Sequence, residues 1–74
     1  MRERTGDATA ARNEANAALK ISPSLDAYLV LGRLDLAANH VDDAGREVGE
    51  ALKLDPASRT AQELNRQIEA RKKQ

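Results

Sequence analysis

The chain has 74 residues, with 12 Lys and Arg against 12 Asp and Glu, and no cysteine. Zero net charge removes the broad attraction behind non-specific nucleic-acid binding, and a single aromatic, Tyr28, leaves no platform for stacking bases. Disulfides and thiolate metal sites are excluded, and so short a chain is expected to form one small domain of modest stability.

No apolar run approaches the ~18–20 residues of a membrane span; Ala27 to Leu31 is the longest. Met1-Arg2-Glu3-Arg4 is charged and leads into no hydrophobic stretch, unlike a signal peptide. A soluble chain is expected, cytoplasmic by default, with neither membrane nor nucleic acid as partner.

In chain order, Thr5-Gly6-Asp7 reads as a turn, with Gly6 supplying the left-handed conformation that ends a helix. Residues 8–21 are predicted helical. They are alanine-rich and lack Gly and Pro, and Ala8, Ala11, Ala15, Ala18 and Leu19 recur at spacings of three and four. Lys20 suits the negative end of the helix dipole, and Pro23 stops the helix by restricting Ser22.

The next helix is predicted over 25–38, with Ser24 as its cap and Asp26 in its first turn. Its apolar set is Leu25, Tyr28, Leu29, Val30, Leu31, Leu34 and Leu36. That set is wider than one stripe, so this helix should be buried on more than one side. Gly32 costs roughly 1 kcal/mol in a helix interior, and its presence points to a close approach by another helix.

Asn39 should end this helix in left-handed geometry. A third helix is predicted over 42–54, capped by Asp42, with Val41, Ala44, Val48, Ala51, Leu52 and Leu54 inward. Gly45 and Gly49 read as weak helix formers rather than a contact pair. A fourth is predicted over 58–72, capped by Ser58. It carries one narrow stripe of Ala61, Leu64 and Ile68, as a terminal helix with a wet outer face requires. Arg71-Lys72-Lys73 suits its C-terminal end. The fold class is all-α with four helices.

One phrase occurs twice. Ala18-Leu19-Lys20-Ile21-Ser22-Pro23 returns as Ala51-Leu52-Lys53-Leu54-Asp55-Pro56, about 33 residues on, within the ~20–50 residue range of stacked repeats. Ala11 returns as Ala44, Glu14 as Glu47 and Leu31 as Leu64. Between the phrases, Tyr28-x-x-Leu31-Gly32, then Ala44-x-x-x-Val48, then Pro56 resembles the tetratricopeptide repeat. Ankyrin repeats share the period, but their Thr-Pro-Leu-His signature is missing. Two positions depart from the tetratricopeptide pattern: Asp35 and Val48 stand where that family has large aromatics. The resemblance implies a partial repeat over 1–24, a complete repeat over 25–57 and a capping helix over 58–74. It implies antiparallel hairpins in a right-handed superhelical stack, and a chain that starts inside a repeat.

No catalytic constellation, cofactor motif or metal-ligand set is found, and the chain is not expected to be an enzyme. His40 falls in a turn near Asp42 and Asp43, too few ligands for a metal cage. The carboxylates read as solvated surface, with Arg46–Glu50 and Glu69–Lys73 as i,i+4 pairs contributing ~0.2–0.5 kcal/mol each. The expected function is recognition of a protein or peptide. Carried over from the family, the groove residues would be Asp26, Leu29, Arg33, Leu36 and Ala37, followed by Arg59, Gln62, Arg66 and Glu69.

Arginines on one side of such a groove suit an acidic or carboxylate-terminated segment. Leu29 and Arg33 stand at two positions where the family's chaperone-tail binders carry Lys and Asn, so chaperone tails are not expected. A second expectation is a homodimer or helix swap, because about three repeats are usually needed for a stable stack and the 8–21 helix has an open alanine stripe. A third is that the chain caps a larger protein and binds nothing itself.

Overall fold

The computed structural model describes residues 2–73, with side chains from residue 8 onward. Four helices follow in order: α1 (Arg2–Ile21), α2 (Leu25–Ala37), α3 (Val41–Leu54) and α4 (Arg59–Lys72); no strand occurs among the described residues. Apart from the start of α1, the predicted ends hold to within one residue. The turn expected at Thr5-Gly6-Asp7 does not form, and α1 runs through it. Gly6 permits a left-handed cap without compelling one. Its cost inside a helix, roughly 1 kcal/mol, is small beside the helix preference of the alanine-rich run that follows.

Local chemistry sets most of the other boundaries. Ser24 Oγ accepts from Ala27 N at 3.2 Å, and Ser58 Oγ accepts from Ala61 N at 3.3 Å. Each hydroxyl satisfies a backbone donor with no partner inside its helix. Asn39 takes the left-handed conformation, at φ 65°. The cap expected at Asp42 is not there. α3 starts one residue earlier, His40 holds the cap position without a side-chain bond, and Asp42 and Asp43 both fall in the first turn, where their charge still suits the dipole.

α2 lies at the centre, packed against α1, α3 and α4, whereas the backbone of α1 packs closely against α2 alone. This is why the apolar residues of α2 spread around so much of its circumference. The larger core joins Leu36 of α2 to Ala44, Val48 and Ala51 of α3 and Ala61, Leu64 and Ile68 of α4. Tyr28, Leu29 and Leu52 are half-buried at its edge. The smaller core is Ala15 of α1 against Ala27 and Leu31 of α2. Leu31 is the one large side chain buried there, and the alanines around it remove little apolar area from water, so α1 gains less from docking than α4 does.

Two glycine readings are resolved by this packing. A Cβ at Gly32 would lie 2.6 Å from Val48 Cγ2, whereas at Gly49 it would meet nothing within 4 Å. Gly32 therefore marks the close α2–α3 approach, and Gly49 marks none. Leu54, expected inward, is 46% exposed, and Ile21, at the equivalent place in the repeated phrase, is 86% exposed. Both lie in the last turn of a helix, at the rim of the buried face.

Candidate functional site

Two features stand out: a groove between α2 and α4, and a buried polar cluster where α1, α2 and α3 meet. The groove is lined by Arg33, Leu36 and Ala37 of α2 and by Leu64, Gln67 and Arg71 of α4, with a volume of about 460 Å³. Leu36 and Leu64 reach it from the core, where each is almost fully buried, so its floor is apolar. Its only charged lining residues are arginines. Arg71 Nη1 donates to Leu36 O at 3.1 Å and to Asn39 Oδ1 at 3.3 Å. Leu36 O already accepts from Asn39 N at 3.0 Å, so Arg71 is its second donor, and the pair of bonds fixes the guanidinium at the groove wall. Arg33 is exposed and pairs with no carboxylate among the described residues.

The residues named from the family pattern separate into four places. Arg33, Leu36 and Ala37 come together in this groove. Asp26 instead lines a second groove, between α1 and α2, beside Glu14, Ala15 and Ala18. Leu29 packs half-buried against the larger core. Arg59, Gln62, Arg66 and Glu69 are exposed on α4, and Gln62 Nε2 donates to Pro56 O at 2.8 Å. At about 100° per residue, these four fall roughly half a turn from Leu64, on the side away from the core. The groove face of α4 is Leu64, Gln67 and Arg71, at i, i+3 and i+7. The apolar stripe of α4 carried that signal, because residues flanking a buried stripe meet the neighbouring helix.

The polar cluster corrects the reading of every carboxylate as solvated surface. Asp35 is 3% exposed. Arg12 Nη2 of α1 donates to its Oδ1 at 2.8 Å, and His40 Nδ1 lies 3.8 Å from the same oxygen. The His40 backbone N–H also donates to Asp35 O at 2.7 Å. Burial alone would push the Asp35 carboxyl up. The hydrogen bond with Glu47 and the Arg12 guanidinium outweigh it and hold Asp35 below its ordinary value. Glu47 of α3 goes the other way. Burial, and then the adjacent Asp35 carboxylate, raise it to about 8 in spite of Arg12. Its Oε1 is enclosed and meets no donor. A proton on this carboxyl resolves the conflict, since the neutral acid can donate to Asp35 where two carboxylates would repel.

Neither predicted surface ion pair forms. Arg46 bonds Asp43 at 2.6 Å and Lys53 bonds Glu50 at 3.4 Å, both one turn apart at i,i+3. Among the described residues, no helix is long and apolar enough to cross a membrane. Comparison with protein-family models, with curated proteins and with solved structures finds no match for this chain.

Proposed function

We propose that the chain is a tetratricopeptide-like protein-interaction module whose α2–α4 groove receives the carboxylate end of an extended partner segment. The observation that carries this reading is the pair of arginines, Arg33 and Arg71, set around an apolar floor with no acidic residue in the lining. Guanidinium groups bind carboxylates through two parallel hydrogen bonds, and the floor of Leu36 and Leu64 accepts the aliphatic side chain beside them. The repeated phrase and the central place of α2 agree with a stack of helix pairs.

The test is fluorescence anisotropy with a dye-labelled acidic peptide ending in Leu, prepared with a free carboxylate and with an amide. The carboxylate form is expected to bind at least tenfold more tightly. Arg33→Glu should remove that difference, because one charge-assisted bond contributes about 1.5–3 kcal/mol. Arg59→Glu and Arg66→Glu should leave Kd within about twofold. Equal binding of the two peptides, or equal loss in all three variants, would contradict the groove assignment.

A further inference from the structure

We propose that Asn39 is a positioning residue of the α2–α4 groove: it holds Arg71 so that the Nε–Nη2 edge of that guanidinium takes the partner's carboxylate. The proposal rests on the groove reading above and adds which edge binds and what orients it.

The network starts at the end of α2. His40 N donates to Asp35 O at 2.7 Å, and Asn39 N donates to Leu36 O at 3.0 Å. These two bonds close a Schellman turn around Asn39 and pin its left-handed backbone, at φ 65°. Glycine makes such a turn at lower steric cost. Asparagine adds an amide, and its Oδ1 accepts from Arg71 Nη1 at 3.3 Å. Arg71 Nη1 also donates to Leu36 O at 3.1 Å. Both acceptors belong to one pinned turn, so the turn grips a single nitrogen of the guanidinium from two sides.

A guanidinium carries its N–H donors in a rigid planar fork, with a pair of them on each terminal nitrogen. The pair on Nη1 is fully used, whereas Nε and Nη2 make no bond among the described residues. Nε and Nη2 present parallel N–H groups, the geometry in which a carboxylate accepts two bonds at once. Arg71 is exposed, and an untethered Arg side chain would lose much rotamer freedom on binding. The turn removes that freedom before the partner arrives, which is preorganisation. Arg33, the other cation of the lining, has no such tether among the described residues, so Arg71 sets where the carboxylate sits.

The experiment uses Asn39→Gly, which keeps a residue suited to the left-handed turn and removes only the acceptor. Its far-UV circular dichroism and urea midpoint should match those of the unmodified chain. The Leu-ended peptide with a free carboxylate is expected to bind Asn39→Gly about threefold to tenfold more weakly, the cost of ordering one Arg side chain. The amide peptide should change by less than about twofold. In the Arg71→Ala background, Asn39→Gly should have no further effect, because Asn39 acts only through Arg71.

Nitrogen-15 NMR of the Arg71 Nε–H gives a second readout. Without peptide it should be as rigid as the backbone in the unmodified chain and mobile in Asn39→Gly. It should shift on adding the carboxylate peptide and not the amide. Three results would each overturn the positioning role while leaving the groove reading in place: a mobile Nε–H in the unmodified chain, an unmoved one at saturation with the carboxylate peptide, or an undiminished carboxylate preference in Asn39→Gly. Equal binding of the two peptides by the unmodified chain would instead overturn the groove reading, and this inference with it. Should Asn39→Gly fail to fold, the Nε–H measurements on the unmodified chain decide the matter.

Discussion

Ile68→Ala is expected to cost about 2–5 kcal/mol, the range for truncating a buried aliphatic side chain and leaving a cavity. Ile68 is fully buried in α4 and packs with Val48 and Leu64. Its Cγ2 also lies 3.6 Å from where a Cβ would stand on Gly45 of α3. With Tyr28 as the only aromatic, few large side chains can relax into the space. Small domains commonly have only ~5 kcal/mol in hand, so this one truncation should bring the chain close to unfolding at 25 °C. Urea titration followed by far-UV circular dichroism measures it. A loss below about 1 kcal/mol would mean that α4 does not pack on α3 as described.

The second large effect is expected at Gly32. Alanine there gains up to about 1 kcal/mol of helix propensity, but its methyl would lie 2.6 Å from Val48 Cγ2. Val48 is fully buried, and its branched side chain has little rotamer freedom. α2 and α3 must therefore separate, and overpacking of this kind costs about 1–3 kcal/mol. The double variant Gly32→Ala, Val48→Ala should recover part of the loss, with a coupling of at least about 0.5 kcal/mol between the two sites. Gly49→Ala, in the same helix pair but facing open space, should instead stabilise by about 0.5–1 kcal/mol. Thermal unfolding of the unmodified chain, Gly32→Ala, Val48→Ala, the double variant and Gly49→Ala tests this. Stabilisation by Gly32→Ala would remove the close approach from the account.

Features set by local chemistry were legible in the sequence. Ser24, Ser58 and Asn39 act within three residues of themselves, and each does what its residue type predicts. The breadth of apolar residues on α2 foretold its central place, and Gly32 foretold a close contact. Features joining distant parts of the chain were not legible. Arg12 and Asp35 are 23 positions apart, and each reads as surface when only its own helix is considered. The departure at Asp35 was visible as a polar residue where the tetratricopeptide pattern has an aromatic, and that oddity marked the buried cluster. On α4 the shift from Arg59, Gln62 and Arg66 to Gln67 and Arg71 comes from helix rotation. The rotation is fixed by the seating of Ile68 and Leu64 in the larger core.

The central claim is a tight α2–α3–α4 core with α1 held more lightly by small residues and one ionic link. Native-state amide hydrogen exchange at pH 6 tests it most directly, because protection reports the free energy of local opening. The slowest amides are expected in α2 around Leu31 to Leu36 and in α3 around Val48 to Ala51, with α1 amides exchanging through a separate opening of lower free energy. Protection of α1 equal to that of α2 would contradict the account, since the two would then open only together.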